Sequence, residues 1–195
     1  MDNKIKLIAD TFGREKFKFD EPVSDHTALS VGGPARLFFV AVTPREIIRI
    51  VTESRRLKLP FLIFGTGTKM MISDLGFNGL VIKNRTKNIN TVSVKGKATR
   101  FGIGVEEALV EVESGVSINK FCEYLESQGL ASSQFLRLPG SIGGNLFLSS
   151  FLQTKAKSIK VLDLVSEVDE IAVRDLSPKK HIILSAVFRI KAKSI

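Results

Sequence analysis

The sequence predicts an α+β protein in two lobes, and three observations carry that prediction. One strand–helix–strand unit spans residues 35–64, mostly alternating strands follow from residue 89 onward, and two glycine-rich segments punctuate the chain at 65–68 and 139–144. A single βαβ unit followed by largely antiparallel strands is the α+β pattern. The lobes are placed at residues 1–85 and 86–195.

Each element has a local reason. Residues 1–20 read as a short helix and a lead-in. Ala35–Ala41 (ARLFFVA) is a buried strand. Thr43-Pro44-Arg45-Glu46 carries an N-cap, a proline at the first helical position and a glutamate at the third. Ile47, Ile48, Ile50 and Val51 then give a helical stripe to about Leu57. Phe61–Phe64 is the second strand, parallel to the first by a right-handed crossover. Leu80-Val81-Ile82 is a further strand. Over 89–115 the reading is two strands with a turn at Lys95-Gly96-Lys97. Ser117 caps a helix bearing Ile118, Phe121, Cys122 and Leu125 and ending near Gly129. SIKVLDLVSEV and a closing strand in HIILSAVFRIK complete the chain.

Composition removes several function classes. Hydrophobic residues make up 44% of the 195, with 14 phenylalanines, enough for a core and too many for disorder. No apolar run approaches the ~20 residues of a membrane span. The opening MDNKIKLIAD has no signal-peptide core, so the cytoplasm is the expected location. The lone Cys122 allows no internal disulfide, and no Cys/His spacing suits a metal. The net charge of +9 invites a nucleic-acid reading. The lysines at 83, 87, 95, 97, 155, 157 and 160 are scattered, however, and not interleaved with stacking aromatics. A solvated basic surface that draws anionic ligands such as diphosphates is the expectation, with no nucleic-acid or membrane partner.

The strongest local signal is Gly65-Thr66-Gly67-Thr68 directly after a strand. Glycine permits positive φ, and successive N–H groups aimed into one concavity suit phosphate. The loop lacks the GK[ST] ending of a P-loop and the third glycine of a dinucleotide fingerprint, so a plain tight turn is the other reading. Pro139-Gly140-Ser141-Ile142-Gly143-Gly144 is the second region. Three glycines in five positions mean close backbone approach, to another backbone or to a flat cofactor.

Four motifs in order carry a resemblance to a known family. His26–Ala35 (HTALSVGGPA) looks like the entry motif of the UDP-N-acetylenolpyruvoylglucosamine reductases, the MurB flavoenzymes of peptidoglycan synthesis in cell wall biogenesis. Pro60–Ile82 resembles their strand, Gly-x-Gly loop and D-x-G-F-x-G, here Asp74–Gly79. Glu113–Ser117 is similar to the loop opening their second lobe, and Leu138–Gly144 to the turn facing the flavin. The resemblance implies a two-lobed FAD-binding fold of the PCMH/MurB type with FAD between the lobes. The pyrophosphate would lie at Gly65, Thr66, Gly67 and Thr68, with Lys69 and Met70 close by. The flavin would lie near Pro139, Gly140, Ser141, Gly143 and Gly144. It further implies an oxidoreductase using NADPH on a UDP-sugar substrate.

The chain also departs from the family. Thr68-Lys69 stands where Ser-Asn is usual, and Ser149–Thr154 replaces a run of glycine and alanine. Arg174 is the candidate for the arginine that stabilises the enol-like transition state, although its tyrosine is absent and the serine displaced. The family's substrate-binding domain, with its proton-donating serine and a glutamate, is expected to be absent after Ile190. Losing general acid catalysis alone would cost about 10²–10⁴-fold. The expectation is therefore a FAD-binding flavoprotein, incomplete as a reductase without a partner chain supplying substrate groups. The alternative is a degenerate fold that has lost FAD and serves as an interaction module. His26 is expected to make a structural hydrogen bond, Cys122 to be core, His181 and Tyr124 to be surface, and Asp74 to orient its loop by an Asx bond.

Overall fold

A computed structural model describes residues 2–99 and 102–193. The chain divides into two compact units, Met1–Thr86 and Lys87–Ile195.

The first unit opens with α1 (Asp2–Phe12), then β1 (Phe17–Pro22), β2 (Pro34–Ala41), α2 (Pro44–Arg56), β3 (Phe61–Phe64) and β4 (Phe77–Asn84). The charged lead-in of the sequence reading is therefore partly a strand: β1 pairs antiparallel with β2, Phe17 opposite Phe39. The sheet order is β1-β2-β4-β3, with β2, β4 and β3 mutually parallel. Side chains alternate across this sheet. Leu37 and Phe39 point to the face that packs Phe12 of α1, at a ring separation of 6.3 Å. Phe38 and Val81 point to the other face, where they pack with Val23 and Phe64 under Met70, Ile72 and Phe77. The helix α2 forms because Thr43 and Glu46 make a full capping box with Pro44 behind it. Its buried stripe is Ile47, Ile50, Val51 and Ser54.

The second unit runs β5 (Ile89–Thr99), β6 (Gly102–Glu113), α3 (Ile118–Ser127), α4 (Ile142–Leu148), α5 (Ser150–Lys155), β7 (Ala156–Leu162), β8 (Val168–Ile171) and β9 (Ile182–Lys191). Its sheet is antiparallel throughout, in the order β5-β6-β9-β7-β8. The α+β class holds, with one sheet in each of the two units. The core joins Val110, Val112, Phe121, Leu125, Phe135, Ile142, Leu146 and Phe188, and Phe121 lies 5.3 Å from both Phe135 and Phe188.

Two readings of this half need correction. Lys95-Gly96-Lys97 is not a turn but the interior of β5, where a bulge between Lys95 and Gly96 absorbs the irregularity and pairing continues to Thr99 opposite Gly102. The segment Pro139–Gly144 is only half a turn, because Gly143 and Gly144 lie in the first turn of α4. The last strand forms as read, and β9 sits in the middle of its sheet between β6 and β7. Ser117 does cap α3 as read, accepting from the Lys120 amide.

Candidate functional site

The Gly65–Thr68 loop follows β3 directly. Gly67 has φ +71°, and an added Cβ would lie 2.5 Å from the His26 carbonyl oxygen and 3.0 Å from the Thr27 Cα. Only glycine fits there, because the His26–Ala28 backbone runs against it. The Ala28 amide donates to the Gly67 carbonyl at 3.2 Å, which turns the peptide outward. Among the described residues the amides of Thr66, Gly67 and Thr68 meet no backbone carbonyl, and the two threonine hydroxyls lie 3.2 Å apart. Unengaged amides beside paired hydroxyls form a donor cradle for an anion. Lys69 is exposed, and Met70 packs inward on the Phe38 face.

Two further loops of this unit are fastened to each other. The Gly33 amide donates to the Ser73 carbonyl at 2.9 Å, as does the Gly76 amide at 2.8 Å. A Cβ on Gly33 would meet the Asp74 carbonyl oxygen at 2.1 Å, so two backbones touch. The Asx role expected of Asp74 falls instead to Ser73, whose Oγ accepts from the Leu75 amide at 3.2 Å. Asp74 itself is exposed.

His26 stacks on Phe38 with ring centroids 4.3 Å apart. Its Nε2 lies 2.8 Å from Glu21 Oε1 and its Nδ1 lies 3.2 Å from Lys83 Nζ. An ammonium can only donate, so Nδ1 accepts and the ring proton sits on Nε2, donating to Glu21. Lys18 donates to the same carboxylate. Burial pushes the Glu21 carboxyl up, but the hydrogen bonds from Lys18 and His26 and the Lys18 charge outweigh it, and its pKa is lowered. Burial lowers the pKa of Lys83, helped by the nearby Arg85 and Lys18 charges. The sequence reading missed this network. Its signal is Lys83 itself, two residues after Val81 and so on the same buried face of β4.

In the second unit the Pro139–Gly144 segment is laced to the loop after β6. The Ile142 amide donates to Val116 at 2.8 Å, Gly143 to Ser114 at 2.9 Å, and Ile118 to Gly140 at 2.9 Å. Ser141 caps α4 by accepting from the Gly144 amide at 3.3 Å. The fully buried Asn145 donates from Nδ2 to the carbonyls of Pro139 and Ser141, each at 3.0 Å. At Gly143 the close approach is to Ser114, since an added Cβ would stand 2.9 Å from its Cβ and 3.1 Å from its carbonyl oxygen. Gly144 differs: it is exposed, and an added Cβ would meet only the Ser141 hydroxyl at 3.4 Å. Pro139 and Gly144 are both exposed, and Gly140 turns between them in the chain at φ 111°.

The remaining candidates are placed simply. Arg174 sits in a 3-10 turn, Val173–Asp175, with its side chain 88% exposed and Nε 3.8 Å from the Asp175 carboxylate. Cys122 is buried, and burial raises the pKa of its thiol, the neighbouring Glu126 and Glu123 adding to the effect. Tyr124 packs against the core edge with its hydroxyl 3.0 Å from that of Thr91. His181 Nδ1 accepts from the Ser177 amide at 3.1 Å. Among the described residues no cluster suits a metal, and no helix is long and apolar enough to cross a membrane.

Residues 35–157 match the family described as FAD binding domain. The chain belongs to that family. FAD is its cofactor, and the unengaged amides of the Gly65–Thr68 loop have the chemistry that suits a diphosphate. The resemblance to UDP-N-acetylenolpyruvoylglucosamine reductases also holds. The enzyme of that name from Desulfosudis oleivorans is 29% identical over 153 residues, covering 77% of this chain and 46% of the relative. That from Syntrophus aciditrophicus is 27% identical over 189 residues, covering 89% and 58%. The FAD-binding domain therefore spans about half the length of the curated relatives it matches. Among solved structures, the MurB of Thermus caldophilus superposes with a TM-score of 0.66 at 18% identity, over 89% of this chain and 62% of that one. An alkyldihydroxyacetonephosphate synthase does so with 0.65 at 16% identity, over 98% and 44%. At these identities both show the fold.

Proposed function

We propose that this chain is the cofactor-holding part of a MurB-type oxidoreductase, in which NADPH reduces UDP-N-acetylglucosamine enolpyruvate. The observation that carries this is the Gly65–Thr68 loop, whose outward amides and positive-φ glycine suit the FAD pyrophosphate. Lys69 and Met70 flank that contact. Pro139, Gly140, Ser141, Gly143 and Gly144 take the flavin side, because a flat ring needs neighbours without side chains. When bound, FAD supplies a two-electron relay between a nicotinamide donor and an enolpyruvyl acceptor. Arg174, exposed beside Asp175, is the candidate to meet the negative charge that develops on the acceptor. A partner chain supplies groups that bind the UDP-sugar.

The test is direct. Purified protein should be yellow or become so on adding FAD, and a colourless protein with no FAD affinity at micromolar concentration sinks the reading. Measuring NADPH oxidation with and without the enolpyruvyl substrate then separates a full reductase from a flavin-holding part. The rival reading, an interaction module without cofactor, asks for large side chains filling the flavin region. Phe151 is 39% exposed instead, with the Lys155 ammonium 5.3 Å from its ring centroid.

A further inference from the structure

Among the described residues Lys83 makes no ion pair with a carboxylate. It is half-buried on β4, and burial together with the positive charges of Arg85 and Lys18 disfavours its protonated form. Its partner is the neutral Nδ1 of His26 at 3.2 Å. The nearest carboxylate in that chain of contacts, Glu21, is turned to the far side of the imidazole and already accepts from His26 and Lys18. One ammonium proton is thus engaged and two are left over.

The position of this cation is set by the sheet. Lys83 pairs in parallel register with Phe64, so the two side chains leave the sheet on the same face, one residue before the Gly65–Thr68 loop begins. His26 joins the two features: its ring holds the lysine, and its carbonyl is the group against which Gly67 packs. A buried cation without a counter-ion is costly, and a charge-assisted hydrogen bond to an oxyanion removes that cost.

We propose that Lys83 is the side-chain cation of the diphosphate site, held at the foot of the Gly65–Thr68 loop by His26. This rests on the reading of that loop as the diphosphate cradle and adds to it a charged residue that backbone amides cannot replace. The ligand class is a dinucleotide diphosphate or its inorganic equivalent.

The experiment compares wild type, Lys83→Met and Lys83→Arg by flavin fluorescence titration with FAD and by calorimetry with inorganic pyrophosphate. Lys83→Met should raise the Kd of both about tenfold to a hundredfold, the worth of one hydrogen bond to a charged group. It should also make Kd less sensitive to salt. Lys83→Arg should stay close to wild type. The melting temperature of ligand-free Lys83→Met should not fall, because the lost charge had no anion; affinity and stability then part company, as they would not for a merely structural residue. Wild-type affinity for FAD and pyrophosphate in Lys83→Met overturns the inference while leaving the flavin reading intact. Wild type that binds pyrophosphate in a Lys83-dependent way but not FAD sinks the flavin reading and supports this one. Wild type that binds neither sinks both.

Discussion

The Gly143 amide donates to the Ser114 carbonyl at 2.9 Å, and a methyl group on Gly143 would stand 2.9 Å from the Ser114 Cβ. That contact fastens the start of α4 to the end of β6, and it separates two neighbouring glycines by their tasks. Gly143→Ala should destabilise the protein by roughly 1–3 kcal/mol, the usual cost of overpacking, seen as a lowered denaturation midpoint. Gly144→Ala meets only a hydroxyl at 3.4 Å and replaces a helical glycine, so it should leave stability unchanged or raise it by up to ~1 kcal/mol. Its effect should appear in a weakened FAD Kd. Equal loss of stability in both variants would contradict the division of roles.

Gly67→Ala asks more of the chain. The residue sits at φ +71° with the His26 carbonyl 2.5 Å from the position of a Cβ. The added methyl must push the loop away from the His26–Ala28 backbone and rotate its amides. FAD affinity should fall at least tenfold, with a stability loss of about 1–3 kcal/mol for the strained conformation. Titration with FAD and urea unfolding read the two effects separately.

The Thr43–Glu46 capping box makes a local prediction. The Thr43 hydroxyl accepts from the Glu46 amide at 3.2 Å, and the Glu46 carboxylate accepts from the Thr43 amide at 3.1 Å. Thr43→Ala should cost about 0.5–2 kcal/mol without changing FAD affinity, since the cap lies outside the cradle.

Glu111 predicts a pH dependence. The Ser185 hydroxyl, 2.6 Å away, is the largest influence and lowers its pKa; burial opposes, and Lys160 lowers it further. A carboxyl whose folded pKa is depressed stabilises the fold above its ordinary value of 4.5, and that contribution is lost as pH falls through the folded value. The stability gap between wild type and Glu111→Gln should therefore be widest near neutrality and shrink in acid. A gap that stays constant from neutrality to pH 3 would show that the carboxylate charge contributes nothing.

What could be read from the sequence was what is local. The capping boxes and caps at Thr43 and Ser117, the apolar stripes of α2 and α3, and the glycine after β3 are each specified within a few residues. The glycine motifs, taken in order, also carried the family and its cofactor. Elements whose form depends on distant partners were not legible. Lys95-Gly96-Lys97 has turn chemistry, yet pairing with Val105 and Gly104 of β6 holds it in a strand. Gly143 and Gly144 read as turn because nothing nearby announces that Ser114 and Val116 will fix the first turn of α4.

The sequence by itself determined the secondary-structure periods, the capped helix starts and the positions where only glycine serves, because these follow from one stretch of backbone. The tertiary structure alone decided that Lys83 stands beside Phe64 and reaches His26, 57 residues away in the chain. It also decided that β9 lies at the centre of its sheet rather than the edge. Both depend on strand order and register, and these are fixed by burying two faces of a sheet at once, a condition that no single segment expresses.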